Sequence, residues 1–363
     1  METCEQSKVW HSEGNVMNHT KLVTDSMLTM LRDTYNILPS GNDYYIMMMS
    51  AAICHDLGKP STTVFDKEKN DYTTKCHGAV GARITRRLFF DEDFELRENV
   101  CYMIRHHMDL HHIFDKEEMS TRKMIQLSHG RVTVKDMLDL NVCDSLGSKN
   151  EIETIDMLDK KTERIESLAR ALNCYETPYE FNNEYEKIDF FKDRNKQYPV
   201  GLIKPYEWGK FNMYVMVGVA GSGKSTYIKE NYEYLPVLSR DIIRTEIGLT
   251  GEKPQGNKEQ EDKVTEIFNG RLLEYCKKRQ SFVIDNTNLK KMYRDSYLNM
   301  AWPYMPYIVY VYVEAPSIDE NKNRRKGMMP LEVIDRMWNQ FEFPEPTEYN
   351  ELIYDIQHDT NLG

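Results

Sequence analysis

Along the first half of the chain, apolar residues return at helical spacing. Met17, Val23, Met27 and Leu31 open the series, and Tyr45–Leu57, Ala79–Phe89, Val100–Met108, Val132–Leu146 and Ile152–Leu172 continue it. No β-branched run interrupts these stretches, so residues 1–175 are expected to form an all-α bundle. Over 176–208 the period dissolves into aromatic, Asn and charged residues punctuated by Pro178, Pro199 and Pro205, which reads as an ordered connector. From Met213 a different grammar takes over. Runs at 213–219, 235–238, 281–285 and 307–313 are apolar and partly β-branched, and they alternate with helical stretches. That alternation predicts a parallel sheet covered on both faces within 209–363. The expected fold class is therefore α + α/β, with no internal repeat.

Composition narrows the classes. A chain of 363 residues allows about two domains at ~150 residues each. Hydrophobic residues at 40% and charged residues at 29% exclude general disorder. No uncharged apolar run nears the ~20 residues of a membrane span, so no membrane partner is expected. METCEQSKVW carries two acids and no apolar core of a signal peptide, and the seven Cys are scattered singly. Reduced thiols in a cytoplasmic protein are expected. Lys+Arg 47 against Asp+Glu 58 gives a net charge of −11, so any contact with nucleic acid must be local.

Gly218-Val219-Ala220-Gly221-Ser222-Gly223-Lys224-Ser225-Thr226 fits the phosphate-loop pattern and stands between a predicted strand and a predicted helix. Backbone N–H groups of Gly221, Ser222, Gly223 and Thr226 would surround phosphate oxygens of ATP or another NTP. Lys224 would neutralise their charge and Ser225 would ligate Mg²⁺. Downstream, Asp241 and Arg244 lie three residues apart, a spacing that places a proton acceptor and a phosphate-holding cation on one helical face. A helix cap with a surface pair is the plainer alternative. Asp285 ends the next strand, where open α/β sheets bind ligands, and suits a nucleotide-site acid. Arg324 and Arg325 lie in a loop between helical stretches and suit a lid over the transferring phosphoryl group, either of them being the reaching arginine.

In this order, GVAGSGKST, SRDIIR, VIDNTN and an arginine-bearing lid, the segment of about 210–345 resembles the 5′-hydroxyl polynucleotide kinase family. The resemblance implies that Asp241 is the general base on a 5′-hydroxyl and that Arg244 contacts the acceptor phosphate. Ile242 stands where a second Asp is common in that family.

The first half carries His19, His55-Asp56, His77, His106-His107 and Asp144 on separate predicted helices. Imidazole and carboxylate donors of this kind assemble a transition-metal site in a bundle core. His11-Ser12-Glu13-Gly14-Asn15-Val16 with His19-Thr20, then Cys54-His55-Asp56-Leu57-Gly58-Lys59, His77-Gly78 and Cys143-Asp144, resembles the HD-domain metal phosphohydrolases. Ser12 and Asn15 replace the usual Pro and Asp. The resemblance implies His19, His55, Asp56 and Asp144 as ligands of an Mn²⁺, Co²⁺ or Ni²⁺ type ion, with His77 and His107 at a second metal or a phosphate. His106 is the neighbouring alternative, Lys59 would approach a substrate phosphate, and His111-His112 are expected at the surface. A divalent ion acidifies water from 15.7 toward ~7–9 and so supplies the nucleophile a phosphodiester needs.

Together the two resemblances imply the bifunctional RNA end-healing type. One half would phosphorylate 5′-OH ends of RNA, or of DNA, and the other would hydrolyse 2′,3′-cyclic or 2′/3′ phosphate ends, preparing both for an RNA ligase. Arg83, Arg86 and Arg87, or Lys290, Lys291 and Arg294, are candidate phosphate contacts. The alternative is a small-molecule P-loop kinase fused to an HD nucleotidase.

Overall fold

The computed structural model describes residues 1–39, 41–148, 154–249 and 256–357. The chain divides into two compact units, one of Met1–Glu180 with Asn195–Tyr198 and one of Phe181–Arg194 with the chain from Pro199 onward.

The first unit is helical: α1 (Val16–Thr29), α2 (Asp43–Cys54), α3 (Lys59–Thr62), α4 (His77–Leu88), α5 (Phe94–His106), α6 (Ser120–Ser128), α7 (Val134–Gly147) and α8 (Ile155–Ala171). Helix α1 packs between α2 and α7, while α5 packs on both α2 and α4. Their apolar stripes meet in a core that includes Val23, Met27, Met48, Ala51, Met103, Ile104, Met137 and Leu140. Side-chain caps set the starts. Asn15 accepts from the Asn18 N–H ahead of α1, and Thr133 with Asp136 forms a capping box at α7.

Two elements depart from the expectation of unbroken helices. Strands β1 (Thr63–Asp66) and β2 (Asp71–Thr74) form an antiparallel hairpin directly after α3. They are short and partly polar, and Asn70 at φ 51° supplies the left-handed turn residue. Helix α6 also escapes the period, because only Met124, Ile125 and Leu127 mark it. The start of the stretch expected from Ile152 lies outside the described residues.

The second unit holds α9 (Glu184–Lys192), β3 (Asn212–Val217), α10 (Lys224–Asn231), β4 (Val237–Leu238), α11 (Arg240–Glu246), α12 (Lys258–Lys277), β5 (Phe282–Ile284), α13 (Lys291–Ala301), β6 (Tyr307–Glu314), α14 (Ile318–Asn323), α15 (Leu331–Gln340) and β7 (Glu351–Ile356). Helix α9 thus folds within the stretch expected as connector, and Tyr185 stacks on Trp302 at 5.1 Å. The sheet is five-stranded and parallel throughout, in the order β4-β5-β3-β6-β7. Strand β7, an apolar stretch interrupted by Glu351 and Asp355, was not expected; it occupies the sheet edge beside β6. Because every strand runs the same way, the segments after β3, β4, β5 and β6 all emerge at one edge.

Two proposed phosphate contacts prove to be buried ion pairs. Arg86 is 6% exposed and grips Glu98 through Nη2 at 2.7 Å, with Arg97 on the same carboxylate at 3.0 Å. Arg294, 1% exposed, pairs with Glu348 at 2.8 Å. Both lie on amphipathic helices whose sequences do not distinguish a solvated arginine from one matched to a buried acid.

Candidate metal centre and phosphate site

In the first unit, local capping aims the side chains. Asn15 caps α1, a role Asn fills as well as the Asp it replaces, and one turn later His19 points into the core with no exposure. His55 follows the end of α2 and bonds through Nδ1 to the Ala52 carbonyl at 2.8 Å; His107 does the same with Ile104 at 2.7 Å. A carbonyl only accepts, so Nδ1 carries the proton in both rings and each Nε2 is left to face the site. Gly58 permits the approach of α4, since a Cβ there would stand 2.0 Å from the His77 carbonyl oxygen. Helix α7 brings Asp144 opposite.

These donors converge on Asp56. On one side, His55 Nε2 lies 3.3 Å from Asp56 Oδ2, 3.6 Å from Asp144 Oδ1 and 3.2 Å from His19 Nε2. His19 Nε2 in turn lies 2.9 Å from Asp144 Oδ1 and 3.7 Å from Asp56 Oδ2. On the other side, Asp56 Oδ1 faces His77 Nε2 at 3.5 Å and His107 Nε2 at 3.9 Å, and the two imidazole nitrogens are 3.0 Å apart. Burial works against charge on His19, yet its bonds to Asp144 and Glu13 outweigh it and raise the group to about 10. Burial pushes His77 down, and burial together with His77 and His55 pushes His107 down to about 3. Against the upward pull of burial, Lys59 and His55 hold Asp56 well below the usual carboxylate range, and His111 and His19 do the same for Asp144.

The cluster fits a divalent metal. Neither Asp56 oxygen accepts a well-directed hydrogen bond, and buried Nε2 atoms face one another in two pairs. Mixed imidazole and carboxylate donors suit first-row divalent ions. His19, His55 and Asp56 form one candidate group, Asp56, His77 and His107 another, and the less buried His11, Glu13 and His19 a third.

Four neighbours complete the sequence picture. His111, expected at the surface, bonds to Asp144 Oδ2 at 3.1 Å because the turn after α5 folds back over the site; His112 does stay exposed, paired with Asp115. His106 turns to Asp109 at 2.7 Å and lies against Tyr102, away from the cluster that contains His107. Lys59 Nζ sits 2.7 Å from Asp56 Oδ2 and donates to Gln6 Oε1 at 2.7 Å. Glu13, whose side chain is 2% exposed, lies 2.8 Å from His11 Nδ1 and 3.1 Å from His19 Nδ1.

In the second unit, the loop after β3 turns into α10 through Gly223 at φ +105°, where a side chain would also strike Gln357. Lys224 is 8% exposed and its Nζ donates to the Gly218 and Val219 carbonyls at 2.9 Å each; burial lowers it to about 8. Ser222 Oγ is buried without a hydrogen-bond partner, while Ser225 and Thr226 stand exposed at the helix start. A loop of this geometry, with a cation inside and an orphaned hydroxyl, fits a nucleotide phosphate chain.

The segment after β5 divides its work. Asn286 Oδ1 accepts from the Arg240 N–H at 3.2 Å, Thr287 O accepts from the Gly218 N–H at 3.1 Å, and Asn288 Nδ2 donates to Met216 O at 2.7 Å. These residues brace the loop and the start of α11. Asp285 is left facing Lys224, and burial raises its carboxyl despite that lysine. Asp241 is paired with Arg244 at 2.6 Å, and Glu261 from α12 grips the same guanidinium at 2.8 Å. Glu261 was not visible as a site residue, since one acid on a long polar helix carries no local signal.

The lid arginines differ. Arg324 donates through Nη2 to Gln357 O at 2.8 Å, lies 3.4 Å from Gly221 O through Nη1, and reaches Glu320 at 3.1 Å. Arg325 acts electrostatically on both Lys224 and Asp285. Asn321, fully buried, ties the lid helix to the loop through Ala220 O at 2.8 Å.

Comparison with known proteins agrees with this division. A model of the HD domain matches residues 43–141, and a model described as AAA domain matches residues 213–344. The chain thus carries a helical HD domain followed by a P-loop kinase-like domain built on a parallel sheet, the combination of an enzyme. Among solved structures, a candidate kinase from Chloroflexus aurantiacus J-10-fl shares 15% identity over 40% of this chain and 86% of its own, with a TM-score of 0.34. A gluconokinase from Sinorhizobium meliloti 1021 shares 20% identity over 43% of this chain and 86% of its own, with a TM-score of 0.30. No described helix is long and apolar enough to cross a membrane.

Proposed function

We propose that this chain heals RNA ends in the cytoplasm, phosphorylating 5′-hydroxyl ends with its second unit and hydrolysing 2′,3′-cyclic phosphate ends with its first. The observation that carries the reading is the openness of the acceptor side: the Asp241 side chain is 88% exposed while its partner Arg244 is held at 13%. A base for a small alcohol works best enclosed with its substrate, whereas the end of a polymer needs an open approach. DNA ends offer the same hydroxyl, and RNA is favoured because a cyclic phosphate requires a 2′-hydroxyl.

In the kinase reaction Asp241 takes the proton of the 5′-hydroxyl, Arg244 holds the acceptor phosphate, Lys224 and Arg325 stabilise charge on the transferring phosphoryl group, and Asp285 holds the nucleotide side. Ser225 and Asp285 would hold Mg²⁺, which neutralises phosphate charge. In the first unit His19, His55, Asp56 and Asp144 would hold one Mn²⁺, Co²⁺ or Ni²⁺ type ion, and Asp56, His77 and His107 a second. Such ions supply Lewis acidity and an acidified water. Lys59 keeps Asp56 ionised beneath them. Opening the ring with one water leaves a 2′- or 3′-phosphate, and a second hydrolysis at the same site releases inorganic phosphate; the resulting 3′-hydroxyl and the 5′-phosphate are what an RNA ligase joins.

Incubation with 5′-OH RNA, labelled ATP and Mg²⁺ tests the reading. Label should move to the RNA 5′ end. Faster transfer to adenosine or free sugars than to oligonucleotides would replace it with the small-molecule reading.

A further inference from the structure

We infer that Glu13 is a positioning residue of the metal centre, aiming His19 at the ion through its distal ring nitrogen. The inference rests on reading the buried cluster of the first unit as a metal site. His19 Nε2 lies 2.9 Å from Asp144 Oδ1, while Nδ1, which makes no well-directed hydrogen bond, has the Glu13 carboxylate beside it with Oε1 at 3.1 Å. A carboxylate on the far nitrogen fixes which one carries the proton, locks the ring plane and strengthens the near nitrogen as a ligand. His55 and His107 obtain the same service from backbone carbonyls of their own helices. At His19 the corresponding carbonyl, that of Val16, accepts from Thr20 Oγ1 at 2.9 Å instead, and the group beside Nδ1 is an acid from outside the helix.

Glu13 is built for that task. The turn at Gly14 (φ +105°) folds it back over α1, and Asn18 Nδ2 grips its backbone carbonyl at 3.0 Å. Its side chain is 2% exposed, so water does not compete for the carboxylate. The same Oε1 lies 2.8 Å from His11 Nδ1, and His11 Nε2 lies 3.5 Å from Lys59 Nζ, the ammonium that rests on Asp56. One carboxylate therefore organises two histidines on the side of the site that Lys59 borders. His11 is a further wall of the site, its distal nitrogen facing the Lys59 ammonium.

The test is Mn²⁺ binding to the nucleotide-free chain, followed by electron paramagnetic resonance, with nitrogen couplings from coordinated imidazole as the spectroscopic signature. His19→Ala reports binding outside the site, and circular dichroism with thermal unfolding reports that each variant is folded. Glu13→Ala should weaken Mn²⁺ about 10- to 100-fold and diminish the imidazole coupling. Glu13→Gln, whose carboxamide oxygen still accepts an N–H, should recover much of both. Wild-type affinity and coupling in Glu13→Ala overturn the inference alone, as does Glu13→Gln falling as far as Glu13→Ala. A wild-type chain whose Mn²⁺ binding matches His19→Ala overturns the metal-centre reading and the inference together.

Discussion

Asp56 presents its two oxygens to two different histidine pairs, Oδ1 standing 3.5 Å from His77 Nε2 while Oδ2 stands 3.3 Å from His55 Nε2. One residue therefore joins both halves of the cluster. Asp56→Ala is expected to abolish Mn²⁺ retention and cut phosphoesterase rate by at least ~100-fold, with kinase rate unchanged. His77→Ala should remove only the ion on the Oδ1 side, which metal analysis of the purified variants would show as a lower stoichiometry rather than none.

The lid arginines should separate by kinetics. Arg324 is fastened to Gln357 and Glu320 and lies beside Gly221, so Arg324→Ala loosens the phosphate loop and should act chiefly on the KM for ATP. Arg325 projects its charge onto Lys224 and Asp285. Arg325→Ala should lower kcat by about 100-fold or more, the scale of a lost transition-state cation. Equal effects of the two variants on kcat would show that the lid works as a unit.

Burial lowers Lys224 to about 8, and bound phosphate charge reverses that by favouring the ammonium. Binding must then take up a proton above pH 8, up to the free lysine value near ~10.4, and nucleotide affinity must fall by as much as about tenfold per pH unit in that window. Calorimetry at pH 8.5 in buffers of different ionisation heat reads the uptake directly. An absence of proton uptake would mean the lysine is already fully charged before binding.

Stability in acid follows Glu98. Burial raises this carboxyl, and Arg86 and Arg97 outweigh it, leaving it below its usual value. A depressed carboxylate stabilises the fold above its unfolded value near ~4.3 and loses that contribution as pH falls through the folded value. Glu98→Gln strands two buried guanidinium groups and should cost about 3–5 kcal/mol at neutral pH, the difference from wild type shrinking below about pH 4. Urea unfolding across pH measures it.

The helical period was legible because α1, α2, α5 and α7 each bury one stripe in a common core, and the phosphate loop was legible because its glycines, lysine and flanking elements are contiguous. The hidden parts are those whose meaning is tertiary. His111 reaches Asp144 only because a turn folds back, Glu261 reaches Arg244 across helices, and Arg86 and Arg294 look solvent-facing until Glu98 and Glu348 are in place. The hairpin at Thr63–Thr74 is too short and too polar for a strand period to emerge.

The central claim is that one chain carries two chemistries on the two ends of a broken RNA. Its most direct measurement supplies RNA fragments bearing a 2′,3′-cyclic phosphate and a 5′-hydroxyl to wild type, His55→Ala and Lys224→Ala, with ATP, Mg²⁺ and Mn²⁺, and resolves the end groups of the products. Wild type should convert both ends, His55→Ala only the 5′ end, and Lys224→Ala only the cyclic phosphate. A wild type that leaves both RNA ends untouched while phosphorylating a small alcohol would contradict the account.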